Sequence, residues 1–236
     1  MRNLLCAALL AMSLLPVIVE SPVYAEVVAD AQVFSTKTLR KAVGNVARGD
    51  AVEILEDFSL LVYRVAAADG VQGWIAAKNL RIPPNATTDT SVVSQKDLEN
   101  FVNSAGYESK TPYLVVVDIA RQKVYIFNGA AGSWAYTATF DCATGENVSP
   151  TTRGVFTFTD RGDWFFSHRL QSGAKYWIRF NGAYLFHSIA MDKGKKPIPG
   201  EDRVGTRQSS GCVRLLVPDA KWIYDNVPDG TTVVIL

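Results

Sequence analysis

The stretch that most limits how this chain can fold is Pro83-Pro84-Asn85-Ala86-Thr87-Thr88-Asp89-Thr90. Adjacent prolines lack amide donors and fix φ, so neither a helix nor a central strand passes through them, and the small polar residues that follow bury nothing. Residues 83–93 therefore read as a linker between two separately folded units, 26–82 and 94–236. In the first unit short apolar alternations are cut by turn residues: Val43-Gly44-Asn45-Val46, Arg48-Gly49-Asp50 before Val52 to Leu55, Val62 to Val65, Asp69-Gly70, and Gly73-Trp74-Ile75. Strands this short with turn signals at this spacing predict a small antiparallel β-barrel. In the second unit the same reading predicts strands at Leu114 to Ile119, Lys123 to Phe127, Trp134 to Phe140, Gly154 to Thr159, Tyr176 to Phe180, Tyr184 to Phe186 and Thr232 to Leu236. Asp160 and Asp163 bracket Arg161-Gly162 in the manner of a turn. Two helices are predicted. Ser94 with Asp97 opens Lys96 to Ser104, where Leu98, Phe101 and Val102 share a face, and Pro218 to Asn226 carries Ala220, Ile223, Tyr224 and Val227 on one stripe. The expected fold class is mainly β with a few short helices.

Residues 1–25 read as a processing signal: Arg2 supplies the positive start, Leu4 to Leu15 the apolar stretch, and Val23-Tyr24-Ala25 a small-residue cleavage site. Pro16 and Glu20 interrupt that stretch, which is shorter than the roughly 20 residues that span a bilayer. The expectation is a mature chain from Glu26 that is secreted into the cell envelope, with no stable membrane span once the signal is cleaved. A formal charge of +1 offers no basic surface for phosphate backbones, so nucleic acid is not an expected partner.

Chemistry concentrates near the C-terminus. The chain has two histidines and three cysteines, of which Cys6 falls in the leader. One of each lies in Phe186-His187-Ser188 and Ser209-Ser210-Gly211-Cys212-Val213-Arg214. A histidine and a glycine-flanked cysteine in loop-rich chain outline a nucleophile and its base. A free thiol is mostly protonated at neutral pH, and a neighbouring imidazolium brings it into the range where thiolate is available. Gly211 lets a bound carbonyl approach the backbone, which makes the amides of Gly211 and Cys212 candidate oxyanion donors. Arg214 suits a carboxylate through a forked contact. Cys142 reads as core packing, a disulfide to Cys212 being the alternative in an oxidising compartment. His168 reads as a loop residue. Metal and cofactor chemistry find no motif here: there is no His-Glu-x-x-His, no cysteine pair at zinc spacing and no glycine-rich phosphate loop.

Two family resemblances follow. The order Arg48-Gly49-Asp50, two strands, Asp69-Gly70, Gly73-Trp74-Ile75 and Leu80 resembles the bacterial Src-homology-3-like modules carried by cell-wall enzymes. Over residues 111–236 the chain is similar to the YkuD-type L,D-transpeptidase catalytic domain, through Phe186-His187-Ser188, Thr144-Gly145, Pro150 to Phe156, Ser209 to Leu215, Asp219 to Tyr224 and Gly230 to Ile235. That family pattern carries Ser/Thr-His-Gly-Cys; here Ser210 stands in the second histidine's place, and Arg214 in that of the terminal asparagine. The resemblance implies a β-sandwich-like catalytic domain, Cys212 as nucleophile and His187 as general base and acid. It also implies that a main-chain carbonyl at or near Ser188 holds the imidazole, and that Ser188, Ser209, Ser210, Gly211 and Arg214 serve substrate or oxyanion. The implied reaction takes peptidoglycan stem peptides: Cys212 attacks the third, diamino-acid residue of a tetrapeptide stem, releases terminal D-alanine and holds the stem as a thioester. A second stem's amine then forms the cross-link, and water in its place would make an L,D-carboxypeptidase. A non-catalytic peptidoglycan-binding protein is the remaining alternative, motivated by Ser210 and the barrel. NlpC-type endopeptidases place cysteine before histidine, and sortases require a distant arginine after the cysteine strand; this chain has neither arrangement.

Overall fold

The computed structural model describes residues 17–168 and 170–236. Residues 1–16, with Arg2, Cys6 and the apolar stretch of the expected leader, lie outside the described residues. Seven strands come first: β1 (Val23–Val27), β2 (Ala31–Phe34), β3 (Ala42–Val46), β4 (Ala51–Phe58), β5 (Val62–Ala66), β6 (Gln72–Ala76) and β7 (Leu80–Arg81). They form one sheet in the order β3-β2-β6-β5-β4-β1-β7. Its one-sided burial is visible in β1, where Val23, Ala25 and Val27 are buried and Tyr24 and Glu26 face out. The inward residues meet Val33, Val52, Ile54, Val65 and Ile75 in a core of mostly β-branched side chains, which suit a pleated surface. β1 straddles the expected cleavage point. Val23 and Ala25 pair with β4, while Glu26 and Val27 pair with β7 as well as or instead of it, so cleavage after Ala25 would leave the sheet only Glu26 and Val27 of this strand.

The second unit contains α1 (Gln95–Ser104), β8 (Tyr113–Asp118), β9 (Lys123–Asn128), β10 (Ala135–Ala143), β11 (Gly154–Thr157), β12 (Arg161–Ser167), β13 (Ser172–Asn181), β14 (Tyr184–Ser188), β15 (Val213–Leu215), α2 (Val217–Asn226) and β16 (Thr232–Ile235). Nine strands share a sheet ordered β11-β16-β8-β9-β10-β15-β14-β13-β12, parallel at β16/β8 and β14/β15. The run Leu114-Val115-Val116-Val117 is apolar without alternation because both faces of β8 are covered. Val115 and Val117 join the core beneath α2, whereas Leu114 and Val116 join Leu98 and Val102 of α1 on the opposite face. The side chain of Ser94 caps α1 by accepting from the Asp97 amide at 3.1 Å. Ile18, within the expected leader, is also buried against α1.

In the second unit two elements depart from the sequence expectation. Arg161-Gly162 is not a turn: it opens β12, with Gly162 opposite Trp177 and the indole 2.7 Å from where a Cβ would stand. A turn signal fails here because Gly162 serves close packing. Arg161 meanwhile bonds Asp229 and the carbonyls of Tyr224 and Val227 at 2.7, 2.6 and 2.8 Å. β15 is too short to show a period, yet it is the strand that brings the cysteine segment into the sheet.

Residues 83–93 contain no helix or strand, but they are fastened down. Asn147 donates to the Pro84 carbonyl at 2.8 Å, Thr88 to the Gly205 carbonyl at 2.8 Å, and Arg121 bonds Ser91 and Asp89. The first sheet also grips the loop after β10 directly. Tyr63 donates to the Val148 carbonyl at 2.9 Å, and Ser149 and Arg153 bond Asp57 and Glu53.

Candidate active site

β14 and β15 run side by side with Phe186 against Val213, His187 against Arg214 and Ser188 against Leu215. Phe186, Val213 and Leu215 point into the core. Since side chains alternate along a strand, His187 and Arg214 share the opposite face, and Cys212, two residues before Arg214, falls on that face too. His187 Nδ1 lies 2.5 Å from the Ser188 carbonyl oxygen, and the ring meets Phe165 edge-on at 5.7 Å. That bond makes Nδ1 the protonated nitrogen of a neutral imidazole and leaves Nε2 for proton transfer. His187 is 6% exposed, and burial pushes its pKa down to about 4, with the Arg214 charge adding to the fall and the Ser188 carbonyl opposing it.

Cys212 is partly exposed as a residue. Its thiol is nonetheless desolvated, which raises its pKa, against the pull of the Leu185 amide and the Arg214 and Arg179 charges. No hydrogen bond joins Sγ to the imidazole among the described residues; the imidazole bonds Ser188 instead. Burial therefore works against both members of a thiolate–imidazolium pair, lowering the histidine and raising the cysteine.

The cysteine loop explains its own composition. Gly211 sits at φ +99°, and a Cβ there would stand 2.2 Å from the Tyr184 ring, so only glycine fits. The Ser209 hydroxyl donates to the Cys212 carbonyl at 2.6 Å and accepts the Gly211 amide at 3.2 Å. Ser209 is buried and its hydroxyl is consumed in holding the loop; of the two amides expected as oxyanion donors, the Gly211 amide is engaged and the Cys212 amide makes no hydrogen bond among the described residues. Ser188 contributes its carbonyl rather than its hydroxyl, which accepts from the Lys175 amide and donates to the Ile189 carbonyl, both at 3.0 Å. Ser210 is exposed. Arg214 is ion-paired with Glu201, while its Nε is buried without a partner.

Sequence reasoning overlooked four supports of this site. Gln122 is fully buried and bonds the Thr144 hydroxyl and amide at 2.7 and 2.8 Å, while the Thr144 carbonyl receives the Gln208 and Ser209 amides. Tyr184 roofs Gly211; burial, with the nearby charges of Asp57 and Glu56, lifts its phenol well above the usual range. Thr152 Oγ1 is close enough to counter part of that rise, but it is buried with no hydrogen bond of acceptable geometry. Glu201 lies in the segment between β14 and β15, where nothing in the local pattern marks it as the partner of Arg214. Among the described residues no group of three His, Cys, Asp or Glu side chains is placed to hold a metal ion.

The L,D-transpeptidase catalytic domain, YkuD, matches residues 112–235, which contain both His187 and Cys212. The chain belongs to the YkuD family. YciB of Bacillus subtilis (strain 168), itself named as a candidate L,D-transpeptidase, is 41% identical over 124 residues, 50% of this chain and 63% of the relative. A crystal structure of a Clostridium acetobutylicum ATCC 824 protein, described as a fused Zn-dependent amidase/peptidase/peptidoglycan-binding domain-containing protein, superposes with a TM-score of 0.51 at 32% identity, over 60% of this chain and 59% of that one. The chain thus spans about three-fifths of the length of each. The YkuD match begins after the Pro83-Pro84 segment and leaves the first sheet outside the family.

Proposed function

We propose that the protein is an exported cell-wall L,D-transpeptidase that cross-links peptidoglycan stems through a thioester on Cys212. The observation that carries this reading is the placement of Cys212 on a glycine turn, on the same sheet face as a buried His187 whose Nδ1 is held by the Ser188 carbonyl. In this reading residues 1–25 are an export signal, and the seven-stranded unit is a Src-homology-3-like module. Membership of a family named for L,D-transpeptidase catalysis supports the reaction class.

In this reading the thiol starts neutral, because burial opposes charge on both groups. As Sγ bonds to the carbonyl carbon of the donor stem's third residue, its proton passes to His187 Nε2. The carbonyl oxygen becomes an oxyanion beside the Cys212 amide; one such donor contributes about 2.7–4 kcal/mol of barrier lowering. When the intermediate collapses, the C–N bond to D-alanine breaks and the imidazolium returns the proton to the leaving amine. An amine from a second stem reverses the sequence, forming the new amide and restoring the thiol. Arg214, with its free Nε, receives a carboxylate of the stem in exchange for Glu201.

The test is incubation of the protein with a disaccharide-tetrapeptide, with products and protein read by mass spectrometry. A donor-sized adduct on Cys212 with D-alanine release, followed by a cross-linked dimer, supports the reading. Tripeptide alone would assign hydrolysis to the same site, and absence of adduct, tripeptide and dimer would overturn it.

A further inference from the structure

Cys212 lies at the end of residues 189–212, which join β14 to β15 with isolated bridges but no helix or strand. A connection this long does not fix a side chain by itself, so the sulfur is held by what the segment is fastened to. The fastening is a short ladder to the loop after β10. Gly145 and Ser209 form a parallel bridge, the Thr144 carbonyl accepts the Gln208 and Ser209 amides at 2.8 and 2.9 Å, and the Ser209 carbonyl accepts the Glu146 amide at 2.9 Å. The Ser209 hydroxyl carries the ladder on to the Cys212 carbonyl. All the rungs to the β10 loop are main-chain bonds. The next one is made by side chains: the Arg207 guanidinium donates to Asn147 Oδ1 at 2.8 Å.

Asn147 is 5% exposed, although Glu146 and Val148 on either side of it are exposed. Its side-chain amide donates to the carbonyls of Pro84 and Pro83 at 2.8 and 3.3 Å, and its main-chain amide donates to Asn85 Oδ1 at 2.7 Å. Asn85 in turn donates to the Arg207 carbonyl at 3.3 Å, so Asn147, Asn85 and Arg207 close a ring of hydrogen bonds. A buried amide needs partners, yet one that served only its own turn would find them locally. Here every one of them belongs to another segment. The prolines offer carbonyls without amides and Arg207 offers donors without an acceptor, and asparagine has both a donor pair and an acceptor to meet them. Burial lowers the Arg207 pKa, so the guanidinium is kept in this place against its loss of water.

We propose that Asn147 is a positioning residue for the nucleophile: by tying Pro84 and Asn85 to Arg207 it locks the segment that carries Cys212. The Pro83-Pro84 segment is then part of the apparatus that places the sulfur, rather than a spacer between two units. The kinetic consequence rests on the transpeptidase reading; the lock itself does not.

Two readouts on the full chain separate the lock from the reaction. With a tetrapeptide donor, Asn147→Ala slows Cys212 acylation about 20-fold while the donor KM stays within about threefold, because the sulfur is displaced and the substrate contacts are not. Iodoacetamide, which needs no binding site, alkylates Cys212 about fivefold faster in the same variant, and buried Cys142, read in the same digest by mass spectrometry, stays unmodified. Arg207→Gln reproduces both changes. Asn147→Asp keeps the acceptor for Arg207 but sets a carboxylate against the Pro83 and Pro84 carbonyls, and it loses most of the acylation rate as well. Acylation within about twofold of the parent in Asn147→Ala or in Asn147→Asp overturns the proposal. So does alkylation of Cys142 together with Cys212, which is the mark of a loosened fold rather than a released loop. A parent protein that never acylates overturns the transpeptidase reading instead, while the alkylation of the two cysteines still judges the lock.

Discussion

Cys142, near the end of β10, and Cys212, just before β15, belong to one pair of neighbouring strands, in which Cys142 stands opposite Leu215. Cys142 is fully buried in the core with Val115, Val124 and Phe158, and burial drives its thiol far above the ordinary range, with Asp118 and Asp141 adding to the rise. Cys212 also loses solvation, yet the Leu185 amide and two arginines oppose the effect, and Gly211 at φ +99° turns its chain out of the sheet. Only Cys212 shares a face with His187. The backbone path and the groups that line it, more than the chemistry of the thiol, separate a core residue from the proposed nucleophile.

The largest expected difference between the two is in acylation. Cys212→Ala should lower adduct formation by about 10³-fold or more while Cys142→Ala keeps it, and a Cys212→Ala protein that still releases D-alanine at the parent rate would erase the contrast.

Acid should separate the site from the core next. His187 has a pKa of about 4 in the fold, below the 6.5 of an exposed histidine, so the unfolded chain takes up its proton first as pH falls. The corresponding stability is complete above about pH 6.5 and is lost toward pH 4, on the order of 3 kcal/mol. Urea unfolding at pH 7.5 and 4.5, compared with His187→Gln, measures it: the variant should show a much flatter dependence. If His187 is the base, the same low pKa places the acid limb of acylation well below pH 6.

Gly211→Ala tests the turn that sets Cys212 apart. A methyl group 2.2 Å from the Tyr184 ring, on a left-handed backbone, should cost about 1–3 kcal/mol in thermal unfolding and lower acylation with it. Pairing it with Tyr184→Ala should restore part of the loss; no recovery would move the constraint from the ring to the backbone. Cys142→Ala should cost only about 1 kcal/mol, the scale of a small core truncation, with unchanged adduct yield. The smallest effect belongs to Glu201→Gln. It frees Arg214 and should lower the donor KM a few-fold with kcat nearly constant; a higher KM would show that the ion pair shapes the site instead of blocking it.

Apart from β12 and β15, the strands of the second unit were legible because their apolar runs are long, and Ser94 and Pro218 marked the helix starts to within one residue. Arg161-Gly162 misled because a glycine packed beneath a tryptophan looks, in sequence, like a glycine in a turn. Cys212, His187, Gly211 and Arg214 were legible as candidate residues, since the motif around them is local. Ser209, read as a substrate contact, is a loop staple, which no local pattern distinguishes. Tyr184, Thr152, Glu201 and Glu56 were out of reach because each acts through a neighbour distant in the chain.

By itself the sequence determined which residue types are available for catalysis and where strands and helices begin and end, because periodicity, caps and glycine turns act over a few residues. Only the tertiary structure decided that the imidazole is buried with its pKa lowered, that Arg214 is already held by Glu201, and that the charges of Asp57 and Glu56 in the first sheet act on Tyr184, whose ring covers Gly211. Desolvation and charge pairing depend on what packs against a group in three dimensions, and the residues that supply them here come from both sides of the Pro83-Pro84 segment.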